Sequence, residues 1–394
     1  MAELTRHERT ALIVVCVLYA AVVIPVGIHK GGDFVQELSL SDRLVSGMPL
    51  YMQSPAKGVF WPPFTIAALV PFALLARVSL ALSQGLWAAA NVALLAWSVA
   101  RLARRWGWKP VVVAIAAVAK PLQGNFEHQN LLVVLLAMIV AGIDDLYAGR
   151  ERRAGIWIGA ATATKMFPAL LLAYLAYRRR WRAFGAGLAA AALLTVGSML
   201  RYGPVGAVTT VRDWGLMARA GQRAAGFGFQ PLGSWVLGLG GSETAVWIAM
   251  AVCASLVIAA LAAGEAKGGG RGGAGGGGTG GPEGPLYEVG LVTILAVLVS
   301  PIGWFYYQLL AIPAWVAALT LPAPQERRAA LVWRVALGVA GVLLSGLLTF
   351  DHLYPDALGF LRRYNYVWGA LLLLAALAAH RLVFLRPSPQ PVRV

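Results

Sequence analysis

The strongest constraint on this chain is a set of long apolar runs, at residues 11–28, 80–100, 183–200, 245–263, 331–350 and 366–385. Each approaches or exceeds the roughly 18 residues that span the hydrocarbon core of a bilayer. No water there satisfies free backbone groups, so a spanning segment must be helical or belong to a closed barrel. A barrel needs repeated short segments of alternating polarity, and the sequence lacks them. Only 13% of the 394 residues are charged, against roughly 25% in an ordinary soluble domain. The expected fold is an all-α polytopic membrane protein.

The net charge is +16. In a soluble protein such a charge would point to nucleic acid. Here most arginines fall in short segments between apolar runs, at 101–105, 150–153, 178–182 and 327–328. Lys and Arg gather in this way in cytoplasmic loops and orient the helices, so no nucleic-acid partner is needed. The two cysteines, Cys16 and Cys253, each lie inside an apolar run, which argues against a disulfide framework or a metal site. The first run is too long for a signal-peptide core, no small-residue cleavage site follows it, and Arg6 and Arg9 precede it. It reads as a retained first helix behind a cytosolic tail.

With that orientation, residues 29–63 face outward. Phe34, Leu38, Leu40, Leu44 and Val45 recur at helical spacing, which predicts a short amphipathic helix in the interface plane. Gly47-Met48-Pro49 ends it, and "FWPPF" at 60–64 leads back into the membrane with Trp61 at headgroup level. Two pairs of short apolar pieces follow. One flanks the polar tip "KPLQGNFEHQN" at 120–130, and the other flanks Lys165 and Pro168. If the basic clusters outside both pairs are cytosolic, both tips point to the outer side or into the membrane. Parity then conflicts: two full spans between 64 and 100 would place Arg101–Arg105 outside. Either one piece is re-entrant or one basic loop breaks the rule. A second polar segment spans 201–244. Residues 264–285 are mostly glycine, a flexible linker without the G-x-x-x-x-G-K-[ST] pattern of a nucleotide site. The expected organisation is a transmembrane catalytic module at 1–263 with outer loops 29–63 and 201–244, the linker at 264–285, and further helices at 286–394.

Polar residues at membrane depth are costly and point to function. Asp33 follows Gly31-Gly32 at the exit of the first run. It reads either as the N-cap of the amphipathic helix or as a partly desolvated base that takes a proton from a hydroxyl; the two are compatible. Lys165 in "ATATKMFP" reads as a snorkelling side chain or as a clamp for an anionic phosphate. Arg219 and Arg223 are four apart and share a face if that stretch is helical; a solvated loop face is the plainer reading. His128 beside Glu127 resembles an acid/base pair, but neighbours in sequence do not share a helix face, and a hydrogen-bonded structural histidine fits as well. No cluster has metal-ligand spacing, and the first outer loop lacks D-x-D, so neither a metal nor another cofactor is expected.

Several pieces occur in one order: "GGDF" (31–34), "GMPLY" (47–51), "WPPF" (61–64), "QNLL" (129–132), "AGIWIGAATATKMFPALLLAYL" (154–175), "FQPLGS" (229–234) and "SPIGWFYYQLL" (300–310). Over roughly 30–310 this set resembles the polyprenyl-phosphate-mannose-dependent α-mannosyltransferases of glycosyltransferase family 87, within the GT-C class. The resemblance implies a GT-C fold of about ten to twelve helices in the inner (plasma) membrane, with an extracytoplasmic active site. It implies a polyprenyl-phosphate-linked sugar donor, typically mannose, and a glycolipid or glycan acceptor. Asp33 would be the general base of an inverting displacement, with Lys165, Arg219 and Arg223 on the donor phosphate. His128, Asn130, Gln230, Tyr306 and Tyr307 would bind substrate. The chain departs from the family pattern at Phe229-Gln230-Pro231, at Phe305-Tyr306-Tyr307 where relatives carry histidines, and at Glu127-His128-Gln129-Asn130. Two other readings compete: a transporter or flippase of lipid-linked sugars, and a non-catalytic partner in envelope assembly. A transporter should show polarity along a transmembrane path and often inverted repeats, whereas polarity here gathers in two loops and two tips.

Overall fold

A computed structural model describes residues 5–51, 61–220, 230–268, 284–349 and 363–384. Among the described residues the regular structure is helical, with no strand. Helix α1 (Arg6–Lys30) opens with a capping box in which Thr5 and Glu8 satisfy each other's backbone N–H groups. It is apolar nearly all round, and Ile13, Val15 and Leu18 are exposed, as suits a helix whose outer surface meets lipid. Among the described residues five helices are long and apolar enough to cross a membrane alone: α1, α5 (Leu80–Trp106), α14 (Glu243–Gly268), α17 (Arg327–Ser345) and α18 (Asn365–Ala379, with the turn that follows). With one bent pair counted as a span the number rises to six, fewer than the ten to twelve expected, because many of the other apolar helices are short.

Those shorter pieces run as α6 (Trp108–Ala117), α7 (Ala119–Glu127), α8 (Leu132–Tyr147), α9 (Glu151–Thr164) and α10 (Ala169–Tyr177). After them come α11 (Trp181–Gly197) and α12 (Gly203–Ala220), bent by 47° at their junction. Helix α13 (Leu232–Gly238) precedes α14. Helix α15 (Pro285–Val299) is sheathed by its neighbours, with Leu286 to Leu298 buried on every face. A helix apolar all round belongs at the centre, and α15 holds that place although it is too short to stand out as a span. A 3-10 segment, Phe305–Ala311, leads into α16 (Ile312–Thr320). Helices α9 and α11 approach through small residues. A Cβ on Gly155 would lie 2.0 Å from the Ala183 carbonyl, and one on Gly159 would lie 2.1 Å from that of Gly187. This spacing of small residues four apart lets helix backbones touch without a polar driving force.

The charged contacts place the basic clusters at one end. Arg101 pairs with Asp144 at 2.8 Å, Arg150 with Asp145 at 2.6 Å, and Arg180 lies 3.9 Å from Glu151. Glu288 accepts from both Arg178 and Arg381. The parity conflict resolves between α2 and α5. Residues 63–76 form two helices too short to span, α3 (Pro63–Ala68) and α4 (Val70–Ala76), which pack on α2 (Gly32–Val45) and α5. One span, α5, then carries the chain to Arg101–Arg105. Helix α8 runs 16 residues from the turn at Asn130 to Asp144 and Asp145, a rise of about 24 Å at ~1.5 Å per residue. The polar tips therefore face the opposite end.

The amphipathic helix expected in the first outer loop is α2, but its apolar face is spent on protein rather than lipid. Phe34 stacks on Trp87 with centroids 5.2 Å apart, and Leu40 and Leu44 join Tyr51, Ile66 and Met199 in a satellite core. Tyr202 donates to the Met48 carbonyl and Arg201 to that of Val45, tying the two outer segments together. The stretch expected as a polar tip at 120–130 is mostly helix α7, and the tip proper is the turn from His128 to Leu131. The described helices at 285–345 and 365–379 share the main core with those before residue 264.

Candidate functional site

The site is built where α1 ends. Gly31 and Gly32 both have positive φ, 67° and 32°, a region that L side chains rarely adopt. A Cβ on Gly32 would lie 2.7 Å from the His128 Cα. The glycine pair thus lets the chain turn from α1 into α2 while touching the end of α7. Asp33 then donates its backbone N–H to the His128 carbonyl at 3.0 Å. Asp33 is not the N-cap; Gly31 holds that position and Asp33 lies in the first turn.

Two donors converge on one oxygen of Asp33. Oδ2 accepts from Asn130 Nδ2 at 2.6 Å and from the Tyr306 hydroxyl at 2.6 Å. Among the described residues no donor reaches Oδ1. Asn130 is itself fixed, because its Oδ1 accepts from the Leu131 N–H. The turn that presents it is unusual: Gln129 has a φ of 50°. Gln129 is held there by its side chain on the Gln84 carbonyl and by Trp87 Nε1 on its own carbonyl, at 2.8 Å. The Tyr306 ring lies against the His128 ring at 5.3 Å and stacks on Trp304 at 5.9 Å. His128 therefore contributes a backbone acceptor and an aromatic wall. Its neighbour Glu127 is engaged elsewhere, by Lys30 at 2.8 Å and Gln123 at 2.7 Å.

Lys165 sits where α9 breaks. It adopts extended backbone as the C-cap, ahead of the Pro168 that begins α10. Thr65 Oγ1 donates to the Thr164 carbonyl at 2.6 Å, pinning this break to α3. The side chain does not snorkel. It is 95% buried, with Nζ 2.9 Å from the Tyr307 hydroxyl, 4.3 Å from the Trp61 ring centre and 4.7 Å from that of Tyr307. Trp61, expected as a headgroup anchor, is instead one wall of this aromatic cage. Among the described residues no carboxylate lies within salt-bridge distance of Lys165.

Glu37 stands one helical turn beyond Asp33 on α2, facing inward. It is fully buried, and among the described residues neither carboxylate oxygen has a hydrogen-bond partner. Burial pushes its carboxyl well above the usual carboxylate range; the Lys165 charge opposes the shift and Asp33 adds to it. The periodicity held a signal for it, because Phe34, Glu37, Leu38 and Ser41 fall on one stripe. A carboxylate inside an apolar stripe is the anomaly to notice.

Gln230 acts at one remove from this cluster. Gln230 donates its N–H to the Gly303 carbonyl at 2.7 Å and its side chain to that of Arg363 at 2.8 Å. It braces the loop that carries Trp304 and Tyr306. Arg219 lies near the end of α12, and its side chain is outside the described residues, as is the whole of Arg223. Among the described residues no group of three His, Cys, Asp or Glu side chains has metal-binding geometry. Beside the site, an apolar groove of about 460 Å³ runs between α1 and α6–α7, lined by Tyr19, Val22, Val26 and Ile115, with Gln123 and Glu127 among its walls.

Three comparisons bear on this constellation. The profile of glycosyltransferase family 87 matches residues 60–273. A polyprenol-phosphate-mannose-dependent alpha-(1-2)-phosphatidylinositol mannoside mannosyltransferase of Mycolicibacterium smegmatis is 26% identical over 314 residues. That match covers 72% of this chain and 66% of the relative, so the chain spans just under two thirds of its length. The crystal structure of ArnT from Cupriavidus metallidurans bound to undecaprenyl phosphate aligns over 95% of this chain and 78% of that one. Its TM-score is 0.46 at 15% identity.

Proposed function

This chain belongs to glycosyltransferase family 87, and from that premise we propose that it transfers a sugar, mannose in the first instance, from a polyprenyl-phosphate donor to a glycolipid or glycan acceptor. The observation that carries the reading is the pairing of a fixed carboxylate with a buried cation. Asp33 is held on one oxygen by Asn130 and Tyr306, leaving the other free. Lys165 lies buried with no carboxylate within salt-bridge distance among the described residues, as suits a site for an anion. Both sit at the end opposite the basic clusters, the extracytoplasmic end if those clusters mark the cytosol. The polar groups converge at one end instead of lining a path across the bundle, which favours an enzyme over a transporter. Joint helical packing around α15 fits the GT-C class.

In this reading the acceptor hydroxyl gives its proton to Oδ1 of Asp33 as its oxygen attacks the anomeric carbon. The bond from that carbon to the phosphate oxygen breaks on the opposite face, so the configuration inverts. The polyprenyl phosphate leaves with one further negative charge, which Lys165 and the Tyr307 hydroxyl stabilise where it develops. Asn130 and Tyr306 hold the carboxylate for in-line attack. The apolar groove between α1 and α6–α7 suits the hydrocarbon chain of a lipid substrate.

The test is transfer from radiolabelled polyprenyl-phospho-mannose into membrane lipids by wild type and Asp33→Asn in matched liposomes. Removing a general base costs about 10²–10⁴ in rate, whereas donor binding at Lys165 should survive. Equal transfer by both proteins would refute Asp33 as the base. No transfer by wild type, with acceptor lipids from its native membrane supplied, would refute the activity or its sugar.

A further inference from the structure

Glu37 is the buried group that the mechanism above leaves unused, and its position is specific. It lies at i+4 from Asp33, on the same face of α2. Asp33, Lys165 and Tyr306 are the charges and dipoles that it feels. A buried carboxyl with both oxygens unpartnered loses the full desolvation cost of those atoms with nothing in return. Apolar residues at Phe34 and Leu38 on either side show that the stripe could have been apolar throughout. Instead a carboxyl stands there, within electrostatic reach of Asp33 and Lys165.

We infer that Glu37 is a sugar-holding residue of this site, whose carboxyl exchanges hydrogen bonds with hydroxyls of the donor sugar ring. This rests on the donor assignment made above. The geometry follows from in-line displacement. The acceptor hydroxyl meets Asp33 and the leaving phosphate meets Lys165, so the sugar must lie between them, and Glu37, buried one turn beyond Asp33 on α2, is within electrostatic reach of both. Burial favours the neutral form of the carboxyl. A neutral carboxyl both donates and accepts, which matches a hydroxyl. It also does not repel the donor phosphate, as a second carboxylate beside Asp33 would. Lys165 and Glu37 are both shut away from solvent, so a donor that reaches either must part the elements that cover it.

The experiment compares binding of polyprenyl-phospho-mannose and of bare polyprenyl phosphate to wild type and Glu37→Leu in lipid nanodiscs; leucine fills similar space and can neither donate nor accept. Wild type should prefer the sugar-bearing lipid, and E37L should keep its affinity for bare polyprenyl phosphate while losing about 30-fold of that preference, the worth of two neutral hydrogen bonds. If wild type prefers the sugar-bearing lipid and E37L keeps the full preference, the role of Glu37 is overturned and the donor assignment stands. If wild type binds the two lipids equally, the protein does not hold the mannose and the proposal fails. If wild type binds neither, the donor assignment fails and takes this proposal with it. Should E37L lose its thermal transition or its hold on bare polyprenyl phosphate, difference infrared spectroscopy on wild type decides. A protonated-carboxyl band that shifts with polyprenyl-phospho-mannose and stays put with polyprenyl phosphate is expected. A band unmoved by both lipids refutes the contact.

Discussion

Replacing Lys165 by methionine should weaken donor binding while leaving the protein at least as heat-stable. The two effects have one cause. Lys165 Nζ has a hydroxyl and two aromatic faces for neighbours, and no carboxylate within salt-bridge distance among the described residues. Burying such a charge costs several kcal/mol even after relaxation. The aromatic faces return about 0.5–2 kcal/mol each, and the Tyr307 hydrogen bond about 1.5–3 kcal/mol. Methionine fills similar space without the charge. With a phosphate about 4 Å away and an effective dielectric of ~20, the pair would attract by about 4 kcal/mol; a single charge-assisted hydrogen bond gives about 2 kcal/mol. At ~1.4 kcal/mol per decade, K165M should bind polyprenyl phosphate about 30- to 700-fold more weakly. The assay is thermal unfolding in nanodiscs with added polyprenyl phosphate. At a hundred times its Kd, the lipid stabilises wild type by about 2.7 kcal/mol. At the same concentration a 30-fold weaker variant gains only about 0.9 kcal/mol. A variant that keeps the full ligand-dependent shift would refute Lys165 as the phosphate clamp. One that melts well below wild type without lipid would show that the cation serves the fold.

Three further outcomes are expected. Tyr306→Phe removes one of two donors to Asp33 Oδ2 but keeps the stack on Trp304 and His128; turnover should fall about ten- to hundredfold with donor affinity unchanged, and steady-state kinetics with an unaltered kcat would contradict that role. Gly32→Ala drives a Cβ to 2.7 Å from the His128 Cα at a φ of 32°, so α2 must shift; transfer should be lost while circular dichroism still reports an intact helical bundle. Glu288→Ala strips Arg178 and Arg381 of the carboxylate they share, and a broken buried pair costs about 3–5 kcal/mol; the melting temperature should drop sharply although the site lies at the other end, and an unchanged melt would refute the brace.

Apolar length and period made the helices legible, and the same signals misplaced some of them. The runs at 11–28 and 331–350 stand out because most of each forms one long helix with an exposed apolar face; α15, the buried centre, is short and shares its composition with its neighbours. Helix α2 was legible from the spacing of Phe34, Leu38, Leu40, Leu44 and Val45, but period alone does not say whether an apolar face meets lipid or protein. The contacts of Leu40 and Leu44 with Ile66 and Met199 decide that, and they join segments far apart in sequence. Asp33 was visible from its place after two glycines. What makes it a site, Asn130 and Tyr306 on one oxygen, spans separations of 97 and 273 residues, which no local pattern encodes.

Glu37 marks where a local pattern did encode something and a habit of reading passed over it. A glutamate in an amphipathic helix is ordinarily assigned to the wet face. Its phase here, three after Phe34 and one before Leu38, assigns it to the dry one. Lys165 carried two readings, snorkelling or an anion clamp, and the Trp61 and Tyr307 rings around it exclude the first. Both residues place an ionisable group where the fold gains little from it. Among the described residues neither has an ion-pair partner within 4 Å, so each carries a folding cost that a bound molecule can offset. The two costs call for different partners, an anion for Lys165 and a hydroxyl for the neutral acid, and a sugar joined to phosphate supplies both. This links the cation and the acid to one ligand more tightly than either residue alone does, and it sets Asp33, with its free oxygen, beside the bond that would break.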